Sequence, residues 1–431
     1  MKKLIWNSLT SNEQVKALER PAMSIANIKT DVSNIIKSIK VNGDDALYEL
    51  SSKYDDIELE SLKVTKKEFD QAEKRVDQNT IKALKKAFTN IKEFHQEQVP
   101  RNIAIEIDSG VMCERIALPI EKVGLYIPAG SAPLPSTVLM LGAPAQIAKC
   151  QIKVMCSPAQ QDGKCNPEIL YSAKLCGINE VYKIGGAQAI AAMAYGTESI
   201  PKVDKIFGPG NAWVTEAKLQ VSEDPNGAAK DMPAGPSELL IIADKLSNPN
   251  FIAADLLSQA EHGVDSQVIL ITDDEKTCDN VISEIKKQIT SRNRIDIINE
   301  SLISAKAILV DDLAMAINVS NQYAPEHLIL NTSKPRDLLP LVLSAGSIFL
   351  GPWSPESVGD YCSGTNHVLP TYGYAKSTSS LGVTDFMKFI TVQELTEEGI
   401  KKIGQTAIEI ANKEGLDAHS YAVETRLKSI I

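Results

Sequence analysis

The stretch Val123-Gly124-Leu125-Tyr126-Ile127-Pro128-Ala129-Gly130-Ser131 is an apolar run closed by a proline and a glycine. It is too short to offer a helix face and ends in turn-forming residues, so it reads as a buried strand that hands the chain to a loop. The same texture recurs downstream. Helical spacing at 137–148, 168–175, 187–194 and 212–221 alternates with strand-like runs at 152–156, 181–184 and 203–207. After a turn-rich break at 231–237, strand-like runs at 239–243, 268–272, 307–310, 328–330 and 347–350 alternate with helical segments at 251–262, 278–289 and 313–321. This alternation predicts an α/β protein of two Rossmann-like units, each a parallel sheet flanked by helices, with arms at both ends. The expected division is an N-terminal arm over 1–24, a larger discontinuous α/β unit over 25–122 and 238–381, a second α/β unit over 123–237, and a helical C-terminal arm over 382–431. Within the larger unit, 80–99 reads as an amphipathic helix carrying His95, and 103–107 with 111–117 reads as a strand pair.

Composition narrows the partners. The 431 residues are 43% hydrophobic and 23% charged, ordinary for a globular chain with real cores. A net charge of −10 argues against nucleic acid or an anionic membrane as the main partner, because either calls for a basic footprint. Lys2 and Lys3 are not followed by a signal-like apolar stretch, and no window approaches the ~20 apolar residues of a membrane span. Seven cysteines, an odd count without Cys-x-x-Cys, fit neither a disulfide framework nor a thiolate zinc site. A small-molecule partner and a reducing cytoplasm are expected.

Ligands on open parallel sheets bind past the carboxyl ends of strands, so the loops there deserve reading first. Residues 126–131, Gly185-Gly186-Ala187-Gln188 and Gly208-Pro209-Gly210-Asn211 each bring backbone close to a ligand at a helix start, a workable dinucleotide or phosphate cradle. None is G-x-G-x-x-G or a P-loop, and plain strand-to-helix turns are the alternative. In Ser258-Gln259-Ala260-Glu261-His262-Gly263, a carbonyl oxygen and an imidazole stand three residues apart at the end of an apolar helix. They share a face and are spaced to grip one borderline metal ion; a solvated Gln259 and a capping His262 are the alternative. Tyr323-Ala324-Pro325-Glu326-His327-Leu328 joins a carboxylate to a natural base between a helix and a strand; a purely structural pair is the alternative. The segment 351–381 is long and rich in Gly, Pro, Ser and Thr, so it is either a functional loop or a stretch whose elements are misread, and it holds Asp360 and His367 as candidate ligands or loop-ordering residues. Glu414 and His419 lie on the C-terminal arm.

Taken in order, Gln259 to Gly263, Tyr323 to Leu328, Phe207 to Asn211, Ala234 to Ser237, Asp360-Tyr361 with Ser363 to His367, and Ala418-His419 resemble the motifs of the histidinol dehydrogenases, zinc and NAD enzymes of histidine biosynthesis. The resemblance covers nearly the whole chain. It implies one zinc per subunit, held by Gln259, His262, Asp360 and His419, the last supplied by the partner subunit of an intertwined homodimer whose C-terminal arms are exchanged. It implies L-histidinol contacts from Ser237, Gln259, His262, His327, Asp360, Glu414 and His419, cofactor contacts from Tyr126, Gln188 and Asn211, and Glu326 with His327 as the acid/base pair. Cys362 stands where the family's smaller Ala is expected, and Trp213 where Phe is expected. The implied reaction turns L-histidinol, water and two NAD+ into L-histidine through a bound aldehyde. A zinc hydrolase is the rival enzyme, but it leaves the three glycine loops unemployed; a non-catalytic two-lobed binding protein has no use for Glu326 and His327.

Overall fold

The computed structural model describes residues 1–20, 26–129, 132–233 and 235–430. Gly130 and Ser131 of the first glycine loop, Ala234, and the end of the N-terminal arm lie outside the described residues.

Two parallel sheets carry the chain. In the five-stranded sheet the order is Glu180–Tyr182, Ile152–Cys156, Lys122–Tyr126, Lys205–Phe207, Ala229–Lys230. The first strand is central and the winding reverses beside it, between Lys122–Tyr126 and Lys205–Phe207. The six-stranded sheet repeats that plan: Lys306–Leu309, Gln267–Thr272, Glu238–Ala243, His327–Asn331, Ser347–Leu350, with Lys2–Ile5 added at the Lys306–Leu309 edge. Its reversal lies between Glu238–Ala243 and His327–Asn331, which pair in parallel with His327 opposite Leu239. Both strands are buried at every residue, as continuous apolar runs covered by helices on two faces should be.

Two segments depart from the expected grouping. The helices Ala26–Asp55, Lys66–Arg75 and Gln78–Gln96 pack on Gly186–Tyr195, Pro167–Leu175 and Pro135–Ile147, so 26–96 covers the five-stranded sheet rather than the unit of 238–381. Ile81, Leu84 and Ile91 enter one core with Val123, Leu125 and Met140, which is where their apolar stripe finds its partner. The C-terminal arm, expected to be helical, opens with a 3-10 turn over Val383–Phe386 and continues as the strand Met387–Leu395. Its run Phe389-Ile390-Thr391-Val392 suits an extended chain, and it pairs antiparallel with Val111–Pro119, itself paired with Ile103–Asp108. The helices Glu397–Lys413 and Asp417–Ser429 follow and pack mainly on each other. No described helix is long and apolar enough to cross a membrane.

Candidate active site

The carboxyl ends of the five-stranded sheet meet the amino ends of the six-stranded one. A cleft of about 160 Å³ between them is lined from one side by Thr137, Gly208 and Asp231 and from the other by Ser237, Glu326 and His327, with His262, Asp360 and His367 closing it. The cleft thus lies past the carboxyl ends of one sheet but at the amino ends of the other, where carboxyl ends are expected of both.

Glu326 and His327 are held by the backbone of one residue across the switch point. The amide of Glu238 donates to Glu326 Oε2 at 2.8 Å, and His327 Nδ1 lies 3.0 Å from the Glu238 carbonyl. A carbonyl only accepts, so Nδ1 carries a proton, and in the neutral ring the lone pair lies on Nε2. Nε2 is buried without a hydrogen-bond partner and lies 3.5 Å from Asp360 Oδ1. Burial pulls the imidazole pKa down, but the carboxylates of Glu356, Glu326 and Asp360 outweigh it and hold the ring well above its ordinary value. Burial pushes the Glu326 carboxyl up to about 8, against the opposing pull of His327.

The helix Pro249–Ala260 starts on the Asn248 cap with Pro249 in its first turn; Gln259 lies in its last turn, and His262, three residues on, lines the cleft. Gln259 is fully buried, and neither its Oε1 nor its Nε2 has a hydrogen-bond partner. An unsatisfied buried amide costs about 1–3 kcal/mol, which a cation on the oxygen would offset. The short helix Glu356–Tyr361 packs on Pro249–Ala260, and ligand atoms of His262, Glu356 and Asp360 lie within 4.8 Å of one another. Two carboxylates, an imidazole and an orphaned amide beside the negative end of a helix form a donor set that fits a divalent cation. Loss of water around His262 lowers its pKa below the usual imidazole range, with Asp360 opposing, and so favours the neutral ligand form.

Glu356 carries no signal in a motif search, yet it sits four residues before Asp360 on one helical face. Reading 351–381 as loop throughout hides that spacing. Its carboxylate is buried, lies 3.8 Å from His327 Nδ1, and is pushed up to about 8 by burial. His367 orders the loop: its Nδ1 donates to the Asp360 carbonyl at 2.8 Å, and Nε2 lies 3.3 Å from the Thr137 hydroxyl. Cys362 lines an adjoining cavity, not the cleft. Glu414 and His419 are exposed on the arm and line neither space.

Tyr126, Gln188 and Asn211 come together in a separate cavity of about 410 Å³, with Tyr54, Asp55, Pro158, Gly185 and Trp213 among its walls. The helices Gly186–Tyr195 and Ala212–Glu223 begin at it. Tyr126 Oη accepts from the Gly186 amide at 3.1 Å, and burial lifts the phenol to about 12. Asn211 Oδ1 caps its own helix on the amides of Trp213 and Val214, which leaves its Nδ2 for a ligand. Gly208 has φ +125°, and a Cβ there would meet the Tyr126 carbonyl at 2.1 Å, so the two loops touch only because the side chain is absent.

The chain is 55% identical over its full length to a histidinol dehydrogenase of Vibrio vulnificus (strain YJ016), of which it covers 99%. It is 52% identical to one from Campylobacter jejuni (strain RM1221), with both chains fully covered. The crystal structure of histidinol dehydrogenase from Elizabethkingia anophelis superposes with a TM-score of 0.96 at 46% identity, covering 100% of this chain and 98% of that one. Since the family model for histidinol dehydrogenase matches residues 18–427, and relatives above half identity span the whole length, the chain belongs to the histidinol dehydrogenase family.

Proposed function

We propose how this member of an NAD-dependent oxidoreductase family takes L-histidinol to L-histidine. One zinc per subunit is held by Gln259, His262 and Asp360, with His419 of the partner subunit completing the set, and NAD occupies the cavity of Tyr126, Gln188 and Asn211. The observation that carries this reading is the cluster of His262, Glu356 and Asp360, whose ligand atoms lie within 4.8 Å of one another with Asp360 Oδ1 3.5 Å from His327 Nε2, together with the buried, unpartnered amide of Gln259 three residues before His262.

When bound, zinc orients the substrate's imidazole and amine, and NAD accepts the hydride. His327 takes the carbinol proton at Nε2, because Nδ1 is committed to the Glu238 carbonyl. Ser237, at the cleft wall, and Glu414 of the partner subunit hold the substrate's polar groups. Once the aldehyde has formed, Glu326 takes a proton from the attacking water, and His327 acts again in the second oxidation. Enclosure of the pair keeps bulk water away from the aldehyde until that step.

The unit over 123–237 serves the cofactor, and the arm over 382–431 crosses to the partner in a homodimer with shared sites. The exposure of Glu414, His419, Phe389, Val392 and Tyr421 on the arm supports this. A biosynthetic role and cysteines that are all free fit the cytoplasm. Mixing His419→Ala subunits with Glu326→Gln/His327→Ala subunits tests the shared site: the hybrid regains activity absent from either parent. A hybrid as inactive as its parents, with mixed dimers present, overturns the exchange. Zinc content tests the rest: Gln259→Ala and Asp360→Asn lose the metal, and retention by both overturns the ligand set.

A further inference from the structure

The backbone of Glu238 orients both members of the acid/base pair, so whatever fixes Glu238 acts on the chemistry. Its side chain is fully buried and bound to Arg20, the last described residue before 21–25. Arg20 Nε and Nη2 donate to Glu238 Oε1 and Oε2 at 2.5 and 2.8 Å, a bidentate fork. The same Nη2 reaches the carbonyls of Tyr323 at 2.9 Å and Ala324 at 3.4 Å. Those carbonyls belong to the turn that delivers Glu326 and His327, where Ala324 is held at φ +54°, a conformation that needs outside support. The guanidinium lies 3.9 Å from the Tyr323 ring centroid, and the Tyr372 amide completes the Glu238 carboxylate at 2.9 Å.

We infer that Arg20 is a positioning residue for the reaction: one guanidinium ties the side chain of Glu238 to the turn at 323–324 and so sets the geometry of Glu326 and His327. The N-terminal arm thereby takes part in catalysis without touching substrate. The inference rests on Glu326 and His327 being the acid/base pair. Lysine cannot replace the fork, because a point charge makes neither the paired bonds nor the simultaneous reach to the turn.

Arg20→Met, Arg20→Lys and Arg20→Ala are assayed in the zinc-loaded enzyme. The expected result is a kcat lower by about 10²-fold in all three, with KM for histidinol and zinc content little changed. Added guanidinium ion restores turnover to Arg20→Ala but not to Glu326→Gln. Should the unpaired Glu238 carboxylate prevent Arg20→Met from folding, Arg20→Met/Glu238→Gln removes that buried charge. The double variant then melts near the parent while kcat stays depressed. A folded Arg20→Met or double variant with parental kcat overturns the clamp. If Glu326→Gln and His327→Asn remain active, the assignment of the pair fails instead, whatever Arg20 does.

Discussion

The two sheets share one winding order yet work at opposite ends. At the five-stranded sheet the cavity with Tyr126, Gln188 and Asn211 lies past strand carboxyl ends, where the helices Gly186–Tyr195 and Ala212–Glu223 begin. At the six-stranded sheet Glu326 and His327 sit at strand amino ends, where Pro249–Ala260 and Leu313–Tyr323 finish. Helix starts present bare amides and about +0.5 charge; helix finishes present bare carbonyls and about −0.5. The first arrangement suits phosphates, and the second suits a cation. On the function proposed above, setting the carboxyl end of one sheet against the amino end of the other would give a dinucleotide and a metal-held alcohol places of opposite polarity.

The sharpest way to break this comparison is at the amino-end pair. His327→Asn lowers kcat by about 10²–10⁴-fold while NAD affinity by calorimetry stays put; a parallel fall in NAD affinity would show that the ends do not divide the work. Next in size, Gln259→Ala or His262→Ala weakens zinc binding by at least about 100-fold, read by metal analysis and by competition with a chelator, and again spares NAD. Chelator-treated enzyme that still oxidises histidinol would refute the cation's place in the cleft.

A smaller effect follows from Glu326. Its carboxyl, lifted by burial to about 8, is mostly protonated below that pH and cannot take a proton from water. Oxidation of supplied histidinaldehyde therefore climbs as pH approaches about 8 and levels off above it, and Glu326→Gln removes that limb; a flat profile from pH 5 to 9 counts against the role. On the carboxyl-end side, Gly208→Ala drives a Cβ onto the Tyr126 carbonyl, costing about 1–3 kcal/mol in stability and raising KM for NAD with zinc content unchanged. The smallest effect is expected from Cys362→Ala. The thiol stands outside the cleft, so both oxidations should proceed within about twofold of the parent; loss of aldehyde oxidation alone would reveal a covalent thiol route.

Much of the candidate site is legible in the sequence. The helix ending at Ala260, the turn before His327 and the glycine loops each announce themselves by local spacing, and local spacing is what helices and turns obey. Arg20, Glu238 and Glu356 were not readable. Arg20 lies 218 residues from the carboxylate it binds, Glu238 acts through its backbone, and Glu356 shows its relation to Asp360 only once that stretch is seen to be helical. Sequence alone does not place the 26–96 helices on their sheet, because an apolar stripe states that a partner exists without stating which.

By itself the sequence determined the alternation of strands and helices, the glycine turns, the metal-suited Gln259 and His262, and the adjacency of Glu326 to His327, all properties of neighbours along the chain. Tertiary structure alone decided that the sheets meet end to opposite end, that the Met387–Leu395 strand pairs with Val111–Pro119, and that one buried carboxylate at Glu238 joins the N-terminal arm to the catalytic turn. The reason is physical: hydrogen bonds and burial between distant segments are set by which surfaces can cover one another, and that choice is made only when the whole core packs.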